Sequence, residues 1–288
     1  MLAPFNGDPA IFYQIAPPDA SSGWETDQYP RIDFSIDMQA DPSRNAAGML
    51  YINVWCELLD SPVEPADIEK LVRQSLHRAI AKEEGEPACI VIWERSENFD
   101  AKRQDEQGKD LCGYTLVFRI IAMPALITTD PCPIAGLNAF TKKMFPDAVI
   151  IGSDNFTGWL DDDVAAFYWD VQQLTFQRRT NVCVWYGIVA GCRIFCKDDA
   201  DRANIASVLA EHLGVSDHVT LDDKSPLFTL ACQVNPASPD AVAGSIIYTG
   251  RYGVLVYNHM KKYHPDEVPD YDSMDHIGYD SDIHSATP

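Results

Sequence analysis

MLYINVWCELLDSPVEPADIEKLVRQSL, residues Met49 to Leu76, is an apolar run closing on Cys56, an acidic patch, then a helical pattern. Ile68, Leu71, Val72, Leu76, Ala79 and Ile80 fall at three- and four-residue spacings, which draws one apolar stripe along a helix capped by Asp67. A second stretch, VAGCRIFCKDDADRANIASVLAEHL from Val189 to Leu213, has the same plan. Its helix, opening at Asp201, carries Ile205, Val208, Leu209 and Leu213 at the offsets of Ile68, Leu71, Val72 and Leu76. The pair predicts one unit used twice.

Around the first stretch, AIFYQIAP (Ala10 to Pro17) is an aromatic strand stopped by prolines. In RIDFSIDMQA, Ile32, Phe34, Ile36 and Met38 alternate with polar residues, as in a strand with one wet face. ACIVIW (Ala88 to Trp93) and CGYTLVFRIIAMP supply two further strands, and Glu94 to Asp110 a polar loop or hairpin tip. Around the second stretch, AAFYWDV stands for the opening strand and TNVCVWYGIVAGCRIFC for two strands turning at Gly187 or Gly191. PLFTLAC follows, and Gly244 opens the last strand as Gly113 does in the first unit. Pro226 lies as far beyond Ile205 as Cys89 lies beyond Ile68.

The expectation is an α+β chain of two tandem small α/β domains. Each is a mostly antiparallel sheet of about four strands on an amphipathic helix, over residues 1–124 and 165–258. Residues 125–164 read as a packed interdomain segment with a short helix from Ile134 to Met144. Residues 259–288 read as an acidic, disordered tail; from His264 onward they hold seven acidic residues and no Lys or Arg.

Forty-three acidic residues against 22 basic ones leave a net charge of −21. Such a surface repels polyanions, so direct nucleic-acid binding is not expected. No apolar run is long enough to span a bilayer, and the proline-broken N-terminus is not a signal peptide, so neither membrane association nor export is expected. The eight cysteines lack paired CxxC spacing and sit in apolar runs, as small buried hydrophobes do.

The acidic clusters Asp161–Asp163 and Asp198–Asp201 offer oxygen ligands, which keeps a metal-dependent hydrolase as an alternative. Adjacent carboxylates point apart, and acids ahead of a helix serve its N-terminus. His77 and His212 stand in late helical turns, where a cation suits the helix end. No nucleophile elbow, phosphate loop or dinucleotide glycine run occurs, so no catalytic residue, cofactor or metal ligand is assigned. Trp24, Trp159, Phe140 and Met144 are the candidates for contacts with another subunit.

The order IFYQIAP, YPRIDFSIDMQ, AGMLYINVWC, helix, strand, long hairpin, GYTLVFRIIAMP resembles the tail-terminator and minor tail proteins of long-tailed bacteriophages and prophages. The resemblance covers residues 10–124 and, more faintly, 165–258, and departs from the family in being doubled and in the acidic tail. It implies a non-catalytic virion protein assembled in the bacterial host cytoplasm. Its partners would be further copies of itself in a ring and other tail or neck proteins. Another head–tail joining or tail accessory protein is the nearest alternative, and an acidic decoy that mimics nucleic acid is one of a different class.

Overall fold

A computed structural model describes residues 10–13, 29–39, 46–59, 63–104, 110–126, 128–161, 163–196, 199–235 and 245–264. The first sheet comprises β1 (Ala10–Tyr13), β2 (Arg31–Asp37), β3 (Gly48–Glu57), β4 (Ala79–Lys82), β5 (Ala88–Gln104), β6 (Asp110–Met123) and β8 (Gly158–Trp159). The second comprises β7 (Val149–Ile150), β9 (Ala166–Arg179), β10 (Cys183–Phe195), β11 (His218–Thr220), β12 (Pro226–Val234) and β13 (Ile246–Leu255). Helices α1 (Pro65–Leu76), α2 (Pro133–Met144), α3 (Asp199–Val215) and α4 (Val256–Tyr263) complete the chain.

Strand order is β1-β2-β3-β6-β5-β4-β8 in the first sheet and, from the opposite edge, β7-β9-β10-β13-β12-β11 in the second. One six-strand order therefore occurs twice. In each copy the first edge strand pairs in parallel with its neighbour and all later pairs are antiparallel. In each copy one helix, α1 or α3, joins the third strand of that order to its far-edge strand. The first sheet alone gains β8, which pairs with β4.

Three cores hold the layers together. Ile68 and Val72 of α1 press on Ile52, Val54, Leu116 and Phe118 of the first sheet. Ile90, Ile92, Ile121 and Met123, on that sheet's other face, meet Ala166, Tyr168 and Phe195 of the second sheet. Beyond them, Trp169, Ile188, Ala190, Cys192, Tyr248 and Tyr252 pack against Ile134 and Leu137 of α2 and Leu209 and Leu213 of α3. Alternating side chains serve opposite faces of each sheet, so a single strand feeds two cores.

This architecture overturns the expected pair of small α/β domains with about four strands apiece. Strands account for about half of the described residues, in two curled sheets of seven and six strands with few helices. The difference has local causes. Ala79 and Ile80 continue the helical stripe in sequence, yet α1 ends at Leu76; His77 is its C-cap, Arg78 takes φ 69°, and the chain turns into β4. Pro65 occupies the first turn with Glu64 as N-cap, so Asp67 lies inside the helix and not at its cap. The polar residues after Trp93 pair as the arm of the β5–β6 hairpin, held by a ladder that needs no apolar side chains. Cys183 to Phe195 is one continuous strand, because Gly187 and Gly191 stay in register with β13 where two strands and a turn were expected. Gly113 lies within β6, and Gly244 is outside the described residues.

The interdomain helix starts at Pro133 and seats Ile134 and Leu137 in the core of the second sheet. Residues 259–263, expected as tail, continue α4, and Lys262 pairs with Asp130. The rest of the acidic tail, from residue 265, is outside the described residues.

Candidate functional site

Each sheet carries an Arg–Trp–Gly rung across three neighbouring strands. In the first, Trp55 stands opposite Arg31 on β2 and Gly113 on β6. The guanidinium of Arg31 lies 4.8 Å from the Tyr29 ring centre and 5.9 Å from that of Trp55, and Phe99 packs on the indole at 4.6 Å. A carboxylate completes the group. Asp33, only 4% exposed, accepts the Trp55 indole N–H at 2.7 Å and the Asn53 amide at 2.6 Å, and Thr115 donates to Asn53 at 2.7 Å. Burying a carboxylate demands such donors.

In the second sheet Trp185 stands opposite Arg178 on β9 and Gly253 on β13. Gly253 leaves room for Cys183: a Cβ there would meet its Sγ at 2.4 Å, while the indole carbons at 3.8 Å would be in ordinary contact. Arg251 and Arg178 lie 5.0 and 5.7 Å from the indole centre, and Phe228 stacks beside it at 6.5 Å. Here the carboxylate is missing. Arg178, Trp185 and Arg251 have ring contacts but no side-chain acceptor among the described residues, and Arg251 Nε is buried without a partner. Cation–π attraction holds the guanidinium planes and leaves their N–H edges open to a planar anion.

The sequence around this rung is electropositive by omission. No Asp or Glu occurs from Val171 to Lys197, from Lys224 to Pro239, or from Ala241 to Pro265. Those spans contain β10, β12, β13 and most of β9, so nearly the whole second sheet is free of acid in a chain of net charge −21. Asp170, at the start of the first acid-free span, pairs with Arg193 at 3.2 Å.

Concave sites lie elsewhere. A groove of ≈ 780 Å³ between α2 and α4 is lined by Asn138, Lys142, Asp154, Tyr186, His259 and Lys262, among others. Lys142 is engaged by Asp154 at 2.8 Å and Lys262 by Asp130. Asn138, 9% exposed, holds a side-chain oxygen without a partner. A smaller cleft of ≈ 260 Å³ collects Arg73, His77, Arg78, Asp161 and Cys196. Arg73 pairs with Glu69 at 3.1 Å, and His77 Nδ1 accepts the Trp93 backbone N–H at 3.1 Å. His77 thus acts as an acceptor, where a helix-end cation was expected.

The residues singled out for subunit contacts have different surroundings. Trp159 is 64% exposed on β8, the outermost strand of the first sheet. Phe140 packs against the core beneath α2, and Met144 on the same helix is partly buried, so neither offers a free apolar face. Trp24 lies outside the described residues. Asp161 and Asp163 are exposed, with the Asp163 N–H reaching the Asp161 carboxylate at 3.4 Å; Asp162 and Asp198 are outside the described residues. Among the described residues no three His, Cys, Asp or Glu side chains gather as a metal site would require. All eight cysteines are free thiols, and burial lifts Cys192 well above the ordinary range and Cys232 to about 11.

The paired rungs were legible only as an Arg and a Trp in strands. Register set them opposite a glycine, and register follows from the whole sheet. No protein-family model matches this chain, and no curated protein matches it either.

Proposed function

We propose that the protein is a non-catalytic structural component of a phage tail or tail-like particle, a terminator or neck-proximal ring that works by self-assembly. The observation that carries this reading is the single strand order present twice in one chain, which gives a subunit two similar surfaces. Heterologous contacts between such surfaces close into rings when the rotation allows. Trp159, exposed on the edge strand β8, supplies an aromatic anchor of the kind that dominates interfaces. The long β5–β6 and β9–β10 hairpins supply extended arms that reach a neighbour. Partners are further copies and adjoining tail or neck proteins, in the virion and in the host cytoplasm where it assembles.

The test is light-scattering mass measurement over a hundredfold concentration range with negative-stain imaging of the same samples. Closed rings of defined stoichiometry are expected. A monomer throughout, with no binding to purified tail tubes, would overturn the reading.

A further inference from the structure

We propose that the surface built on Arg178, Trp185 and Arg251 is a carboxylate-docking face whose occupant is the chain's own acidic C-terminal segment, Asp266 to Asp282. The first sheet shows what completes such a rung. There Asp33 takes the indole N–H of Trp55, whose ring also contacts the Arg31 guanidinium. The second sheet repeats the Trp, the opposing Arg and the opposing Gly, adds a second Arg, and has no acid in place among the described residues. The side chains of Arg178, Trp185 and Arg251 have no side-chain acceptor among the described residues, and Arg251 Nε is already desolvated. An unmade hydrogen bond at a buried charged group is costly, so an arriving carboxylate recovers what the fold leaves open.

The acidic segment suits this face in charge and in reach. It carries seven carboxylates and two tyrosines and no Lys or Arg, while the face belongs to the acid-free part of the chain. It begins just beyond α4, which follows β13 directly. From Arg251 to Leu255 the strand covers about 13 Å, and the eight-residue helix adds about 12 Å more. Twenty-four residues, 265 to 288, can reach at most about 80 Å, well past that distance. Covalent tethering at that distance sets an effective concentration in the millimolar range, enough for two charge-assisted contacts to persist. A polynucleotide would meet the same arginines but also the repulsion of the whole acidic protein.

The experiment uses full-length Arg251→Lys protein and a carbodiimide, which joins an amine directly to a carboxylate in contact with it. Peptide mapping is expected to link position 251 to a carboxylate between Asp266 and Asp282. The yield should fall at least fivefold in 1 M NaCl, and mixed nitrogen-14 and nitrogen-15 chains should show links within one chain. The Lys262–Asp130 pair reports that coupling worked. Absence of the 251 link while that pair couples, or links only between chains, overturns the proposal. Arg178→Lys, at an exposed position, gives the same readout if the first variant misfolds. Arg178→Gln with Arg251→Gln should speed proteolysis within 265–288 severalfold; an unchanged rate overturns the proposal. So does tight binding of a single-stranded oligonucleotide that this double variant abolishes, since the face would then be a nucleic-acid platform.

Discussion

Arg193 Nη2 donates to Asp170 Oδ2 at 3.2 Å, joining β10 to β9 on the face whose neighbours Tyr168 and Phe195 press against the first sheet. Burial raises the Asp170 carboxyl above its ordinary value, although Arg193 and the Gly191 backbone N–H pull it down. With the folded-state value raised, this group's contribution is present below the ordinary Asp range and is lost as pH rises through the raised value. Because burial already works against the charged carboxylate, Asp170→Asn at neutral pH should cost well under the about 3–5 kcal/mol of a buried pair broken at one partner. Asp170→Asn with Arg193→Met should recover most of that loss. Denaturant titrations at several pH values check both.

Trp169 Nε1 donates to Thr141 Oγ1 at 2.9 Å, and Thr141 Oγ1 donates to the Leu137 carbonyl at 2.8 Å. Both residues are buried, so this hydroxyl fastens α2 to the second sheet. Thr141→Val keeps the shape and strands the indole N–H. The expected cost is about 1–3 kcal/mol by denaturant unfolding, with a shift in Trp169 emission.

Gly113 stands where β6 crosses Trp55, and a Cβ there would lie 1.8 Å from the Val54 carbonyl oxygen and 2.7 Å from the Phe99 ring. The oxygen is backbone and cannot step aside. Gly113→Ala should therefore cost at least the roughly 1–3 kcal/mol of an overpacked core, read as a lowered thermal midpoint. Gly85→Ala, with nothing within 4 Å, should cost about 1–2 kcal/mol through backbone strain at φ 83° alone.

Tyr168, Tyr248 and Tyr252 are each pushed up to about 12, by burial first of all. For Tyr248 and Tyr252, hydrogen bonds to Thr229 and Thr129 oppose the rise. The stabilisation attached to all three is complete below pH 10 and is lost as pH approaches 12. Phenolate absorbance should show a late-titrating class of tyrosines that ionises together with alkaline unfolding.

Trp159→Glu should leave the thermal midpoint within about 1 °C, since substitution of an exposed side chain costs at most ~0.5 kcal/mol. On the proposed assembly reading it should abolish higher-order species in light scattering. Persistence of those species would remove β8 from the interface.

The sequence carried more of the order than of the architecture. Ile68 and Val72 announced α1, and Ile134 and Leu137 announced α2, because a buried helical stripe must recur at three- and four-residue spacing. Short strands left no comparable trace. Ala79–Lys82 borrowed the phase of the preceding helix, and two-residue strands such as β7 and β8 are too short to show a period. The stripe on α3 was also displaced: Arg202, Ala206, Leu209 and Leu213 are the buried set, while Val208 is only partly covered.

By itself the sequence determined where the longer apolar strands and the helices α1 and α2 fall, that one plan recurs, and that acid is absent from three long spans between Val171 and Pro265. Those properties are local, written in spacing and composition. Tertiary structure decided how many strands join each sheet, that the sheets stack through Ile90, Ile121, Tyr168 and Phe195, and that Trp55 and Trp185 each face an arginine and a glycine. Strand pairing acts between residues far apart in the chain, and shifting one register by a single residue would turn each of those side chains to the opposite face.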